Sequence, residues 1–358
     1  MNWYNLQKLL VSILIIFLYP AIVFAAGPSL NNVSIVNDKI VISGQQLGSH
    51  PDHSPNYPGF LNVAWNDFDD GVMAKNGMGM LSSAYAGNWS VESDNNRPNS
   101  KHYVQKAYRV GSRGGALGLK QSAKYNVLYY SFWFKMRKNT QSGKFTRIWG
   151  VDNENVYLST GGNNTSIRGN FEYGVGGATQ WSSPDSFGYE NWRRVEIRLD
   201  IPNHSYTVWL DGIHQWTRTN WVPTDFNGIG GIWEVGGMID DPAASGGKDG
   251  GYNYDDLYFS GTQARVEIGN AATWDACTRR EIQIPTAWGT SSVTAKANFG
   301  AFNYGNTAYL YVVDSKGNIS NNGKGVKIVI NKQSESTADP TPAPTPDPIP
   351  TILSITKK

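Results

Sequence analysis

Cysteine is nearly missing from this chain: Cys277 is the only one in 358 residues. An intrachain disulfide and a cysteine-built zinc site are therefore excluded. Charge imbalance is missing as well. Lys and Arg number 31 against 29 Asp and Glu, a formal net charge of +2, so no electrostatic footprint for nucleic acid is present. No long stretch repeats apolar residues at the helical period of about 3.6. A long apolar run occurs once, Leu9–Leu18, interrupted only by Ser12, and Pro20 follows it; it is short for a bilayer span of about 20 residues. No phosphate loop, Ser-His-Asp elbow or nucleotide fingerprint is found.

Glycine and aromatic residues are plentiful: 39 Gly, 13 Trp, 19 Tyr and 13 Phe. Gly-rich turns between aromatic strands indicate an all-β chain. The 40% hydrophobic content suffices for one or two cores. Lys8, the apolar run, and small residues at Val23 and Ala25 read residues 1–25 as a secretory signal peptide. A membrane anchor is the alternative, and after cleavage no membrane span is expected. An exported chain without disulfides points to a secreted or cell-surface protein, of bacterial source. Residues 333–358 form a Pro-rich tail with Pro340, Pro342, Pro344, Pro346, Pro348 and Pro350. Such a run is extended and solvated, of the kind that leads to a further domain.

Period-two patterns recur between these ends. In residues 129–136, Tyr130, Phe132, Phe134 and Met136 share one face, and Tyr129, Ser131, Trp133 and Lys135 share the other. Val195, Ile197 and Leu199 alternate with charged residues, and Tyr206, Val208 and Leu210 follow. Turns at Pro202-Asn203-His204 and Asp211-Gly212 make this a meander with one face buried.

The hairpin Asn191–Leu199 and Tyr206–Gly212 resembles the late hairpin of concanavalin A-like lectin/glucanase jelly rolls. Asn66–Gly71 is similar to their opening strand, and Tyr254–Phe259 to their closing strand. The resemblance implies a jelly-roll β-sandwich over residues 61–261. The flanks are similar to an IPT/TIG immunoglobulin-like domain. Lys39–Gly48 looks like its start, and residues 264–269, 291–297 and 308–314 like later strands. The expected architecture is thus a small immunoglobulin-like (IPT/TIG) β-sandwich split into residues 27–60 and 262–332 around the jelly roll. An N-terminal ribbon beside a complete C-terminal sandwich is the alternative. Insertion is feasible where the host's two chain ends lie close together.

A laminarinase-type glucanase on this fold needs three carboxylates on one strand face. The segment Asp152–Ser159 supplies Asp152 and Glu154 but no third. A polysaccharide lyase needs a neutraliser for a uronate carboxylate and a base. Arg147, Tyr173, His102 and His214 are the candidates, with surface or structural roles as the alternative for each histidine. Tryptophan suits sugar binding, because pyranose C–H faces stack on indole. Alternation places Trp133 opposite the apolar side of its strand and puts Arg147 and Trp149 on one face of residues 144–150. Trp133, Arg147 and Trp149 are therefore expected on the concave sheet, with Tyr173 and Trp209 beside them; packing between the sheets is the alternative for each ring. The resemblance further implies a structural Ca²⁺ where the opening and closing strands meet, near Asp69 and Asp256.

These residues support a secreted, lectin-like protein that binds an extracellular polysaccharide. A lyase or glycoside hydrolase on the same fold, and a cell-surface structural or adhesion module, are the rivals. No motif requires catalysis, and any enzyme chemistry fits a lyase better than a glucanase.

Overall fold

The computed structural model describes residues 27–331 except 37, 51–62, 77, 82–88, 94–96, 98–99, 108–116, 122, 139, 141–142, 152–153, 161–166, 173–177, 182–187, 223–225, 227–230 and 240–249. The proposed signal peptide, the Pro-rich tail, Asp152 and Tyr173 lie outside the described residues.

The first strands are β1 (Ser29–Val36), β2 (Lys39–Gln45), β3 (Val63–Asn66), β4 (Gly79–Met80), β5 (Trp89–Ser93), β6 (His102–Ala107) and β7 (Leu117–Lys120). Next come β8 (Val127–Met136), β9 (Gly143–Trp149), β10 (Asn155–Thr160), β11 (Ile167–Glu172), β12 (Ala178–Trp181), β13 (Trp192–Asp200), β14 (Ser205–Leu210) and β15 (Ile213–Arg218). The last are β16 (Ile232–Ile239), β17 (Gly251–Ser260), β18 (Arg265–Gly269), β19 (Arg280–Trp288), β20 (Ser292–Lys296), β21 (Thr307–Val313) and β22 (Val326–Val329). Among the described residues no helix is long and apolar enough to cross a membrane.

Two antiparallel sheets form the larger sandwich, the jelly-roll part of an all-β fold. One runs β12-β11-β10-β9-β16-β7-β4 and the other β15-β14-β13-β8-β17-β6-β5, with β3 also on β17. Opening and closing strands are thus neighbours, with Asn66 opposite Leu257. The period-two pattern fills the core: Tyr130, Phe132, Phe134, Val195, Ile197 and Val208 meet Phe145, Ile148, Val156 and Leu158 of the facing sheet. Phe134 and Phe145 stack across the sandwich with centroids 4.4 Å apart.

A third sheet, β1-β2-β20-β19-β18-β21-β22, forms the smaller unit. The N-terminal strands join it through β2, where Ile40 faces Ala295 and Ile42 faces Val293. A register shift between Pro285 and Ala287 interrupts β19, where a proline without an N–H interrupts the ladder. The two halves close on one core, with Ile40, Ile42 and Val293 against Val266, Ile268, Leu310 and Val312.

The smaller unit covers the outer face of the β8-containing sheet. This corrects the one-sided meander expected from the sequence. Trp133, Arg194 and Glu196 are only 7%, 3% and 2% exposed. Apolar contact comes from Val63, Trp65, Tyr129 and Tyr258 against Ile282 and Ile284. Beside it, Glu267 receives three guanidiniums: Arg194 bidentately at 2.7 and 3.1 Å, Arg265, and Arg280 at 3.2 Å. Burial alone would raise the Glu267 carboxyl; the three arginines overcome it and hold it well below the usual range. Gly212 permits this approach. The Asp211-Gly212 turn has φ of 52° and 78°, and a Cβ on Gly212 would lie 1.7 Å from Arg280 Nη2.

A second buried cluster surrounds Arg97, which donates to Asp255 and Asp256 at 2.6 Å each and to Glu281 at 3.1 Å. Neighbouring residues cannot share a target in a regular strand. Here a register shift between Asp255 and Tyr258, with Asp256 at φ 46°, turns both carboxylates onto one guanidinium. Three carboxylates then depend on one cation. Desolvation outweighs Arg97, and Asp255 is raised to about 7.

A carboxyl raised on folding holds its proton in the native state. The stability it contributes is present below the unfolded value and is lost as pH rises through the folded one. Melting temperature should therefore carry a downward component between the ordinary value of 3.8 and about 7. Asp256 is raised beside it, so the pair carries this component together, and the double variant Asp255→Asn/Asp256→Asn should remove it. A wild-type slope retained by the double variant across this window, measured by calorimetry, would contradict the assignment.

Candidate functional site

The outer face of the other sheet is built by β9, β10, β11 and β16. Core residues Ile148, Val156 and Trp233 lie opposite one another across these strands. The intervening positions point outward: Arg147 pairs with Tyr157 and Glu234, Trp149 with Asn155, Lys144 with Ser159, and Tyr157 with Asn170. Lys144, Arg147, Trp149, Arg168 and Glu234 are partly exposed. Asn155, Tyr157, Ser159 and Asn170 lie deeper, 0–8% exposed. A row of polar side chains sunk in an outward face, beside half-exposed cations and an indole, is a candidate ligand surface.

The rim is tied together by cations. The Arg147 guanidinium lies 4.7 Å from the Trp149 ring centroid and 5.6 Å from that of Tyr157. Lys144 Nζ sits 4.2 Å from the centre of Tyr157. Arg147 Nη1 is 3.6 Å from Glu234 Oε1. Burial raises the Glu234 carboxyl, opposed by Arg147, Trp149 and Lys144. Among the described residues, neither polar atom of the Asn155 amide has a hydrogen-bond partner, nor does Arg147 Nε. These buried donors and acceptors are costly unless a solute or water completes them.

The structure brings Arg147 and Trp149 together but separates the other sequence candidates from them. Trp133 belongs to the opposite sheet and is sealed under the smaller unit, where its indole N–H donates to Glu281 at 2.9 Å. Alternation identified the face it shares but not what covers that face. Trp209 is also on the opposite sheet, edge-on to His214 at 6.2 Å. His214 is exposed on β15 and bonds Thr217, and His102 on β6 contacts the Asp69 carbonyl oxygen. Neither histidine shares a sheet with Arg147, so the four-residue lyase set is not assembled. Tyr157, not singled out in the sequence, is the tyrosine beside Arg147. In the sequence, Asp152–Ser159 stands out only for its carboxylates, and the alternation Asn155-Tyr157-Ser159 against Val156-Leu158 is the signal for this face.

The residues chosen for Ca²⁺ do not fit a shared ion. Asp256 is bound by Arg97 at 2.6 Å and by Asn298. Asp69 accepts the backbone N–H of Lys101 at 2.6 Å. Among the described residues no group of three or more His, Cys, Asp or Glu is arranged to hold a metal.

No protein-family model matches the chain, and no curated protein matches it in sequence. Solved structures similar to it include an endo-β-1,4-glucuronan lyase from the fungus Trichoderma reesei. That likeness has 13% identity and a TM-score of 0.37 and covers 51% of this chain and 89% of that one. A Bacillus licheniformis β-glucanase has 13% identity, 56% and 98% coverage and a TM-score of 0.39. A galectin from Caenorhabditis elegans has 9% identity, 50% and 99% coverage and a TM-score of 0.31. The fold rests on the strand order itself.

If Arg147 is the cation that limits the rise of the Glu234 carboxyl, removing it must let that carboxyl climb further. Carbon-detected NMR titration of Arg147→Met should show Glu234 protonating at higher pH than in the wild type. An unchanged midpoint would separate the two groups electrostatically.

Proposed function

We propose that this chain is a secreted carbohydrate-binding protein that recognises an extracellular polysaccharide through the outer face of β9, β10, β11 and β16. The observation that carries this reading is the Arg147–Trp149 pair, 4.7 Å apart, set above the sunken polar row of β10. An indole offers a stacking surface for the C–H face of a sugar, and deeper amides and hydroxyls read its hydroxyls. Among the described side chains of this face, Lys144, Arg147 and Arg168 outnumber Glu234, which favours a polymer with acidic sugar units. Guanidinium binds carboxylate by paired hydrogen bonds. Secretion is supported by the signal-like residues 1–25.

A second reading is uronate lyase chemistry. It is favoured by Tyr157, a phenol set between Lys144 and Arg147, because a lyase pairs a base with a carboxylate neutraliser. The two readings differ in product. Lyase action would release unsaturated uronate from an acidic polysaccharide and would be lost in Tyr157→Phe. Binding without that product leaves the lectin-like reading.

Affinity electrophoresis and calorimetry against acidic and neutral polysaccharides test the main reading. Trp149→Ala should weaken binding by about 1–3 kcal/mol, the order of one lost stacking ring. Arg147→Ala should weaken acidic polymers more than neutral ones. Unchanged affinity in a folded Trp149→Ala protein would exclude this face.

A further inference from the structure

The seam between the two units holds a cavity of about 190 Å³. Trp209 and Glu196 reach it from the larger sandwich, and Arg265, Trp274 and Arg280 from the smaller. Glu196 is 2% exposed. Its Oε1 accepts from the Tyr129 hydroxyl and lies 3.2 Å from Arg194 Nη2. Its Oε2 is buried and has no hydrogen-bond partner among the described residues. A carboxylate oxygen in that position is costly until a donor reaches it.

The surroundings decide which donor fits. Arg194, Arg265 and Arg280 face Glu196 and Glu267 here, leaving one positive charge in excess. A cation is therefore disfavoured. An anion would meet the Glu196 carboxylate, which is part of the lining. A neutral hydroxyl satisfies both conditions, since it donates to the carboxylate and accepts from a guanidinium. Trp209, half-buried in the wall, supplies an apolar ring. Trp274 already has Arg280 against it at 3.9 Å. About 190 Å³ lies below the roughly 300–1,000 Å³ of pockets that take drug-sized ligands, which fits a ligand of single-ring size.

We propose that the seam cavity is a second sugar site, taking a single neutral pyranose. A ring hydroxyl donates to Glu196 Oε2, an oxygen accepts from Arg265 or Arg280, and the C–H face rests on Trp209. Because the walls come from both units, the occupant binds across the seam and raises the stability of their docking.

The test uses the full chain and the methyl glycosides of glucose, galactose, mannose and xylose, read by saturation-transfer NMR and thermal shift. At least one glycoside should show saturation transfer and raise the melting temperature. Trp209→Ala should weaken its binding about tenfold or more, and Glu196→Gln should do the same. If Glu196→Gln fails to fold, Trp209→Ala decides alone, because that ring is half-buried and outside the ion-pair cluster. The bound glycoside should not displace an acidic polysaccharide from the β9–β10 face. Absence of saturation transfer with all four glycosides overturns the proposal. So does binding that Trp209→Ala leaves unchanged, or a glycoside that competes with the acidic polysaccharide.

Discussion

The docking of Glu267 among Arg194, Arg265 and Arg280 is the constraint on which the arrangement of the molecule depends. A buried carboxylate with three guanidiniums is tolerable only if every partner is in place, and removing one partner of a buried pair typically costs about 3–5 kcal/mol. Arg194 belongs to the larger unit, while Glu267, Arg265 and Arg280 belong to the smaller. The cluster therefore forms only when the two sandwiches meet in one register. Apolar contact at Trp65, Tyr258, Ile282 and Ile284 supplies area, and the charges supply orientation. Once docked, the smaller unit removes one outer face of the larger from solvent and leaves the outer face of the other sheet uncovered by it.

Much of this was legible in the period-two pattern, since alternation states which side chains share a face. It located the core residues of β8, β13 and β14 and placed Arg147 with Trp149. It could not state what lies against a face. Trp133, Arg194 and Glu196 looked like water-facing positions because a strand buried on both sides by charged and aromatic residues reads the same as one buried on a single side. Arg97 was invisible for a different reason. Its cluster needs the register shift that turns Asp255 and Asp256 the same way, and alternation assigns adjacent residues to opposite faces. The Ca²⁺ expectation failed to fit at the same point: acidic residues near the closing strand were identified, but the cation that answers them is a guanidinium distant in sequence.

The outer face of β9–β11 and β16 stands on strands rather than loops. Tyr157, Asn155 and Trp149 are fixed by ladder hydrogen bonds on both sides, so little ordering remains for a ligand to impose. The same rigidity sets the spacing between the Lys144 and Arg147 cations and the Trp149 ring.

The chain path has a consequence for how the molecule is made. β1 and β2 are synthesised first, but their partner β20 arrives only after every strand of the larger sandwich. Pairing of such high sequence separation is slow, because loop closure must precede any gain from contact. The larger sandwich shortens that search by bringing its two ends together at β3 and β17. The β2–β20 ladder therefore depends for its short closure distance on the pairing of β3 with β17 in the larger sandwich.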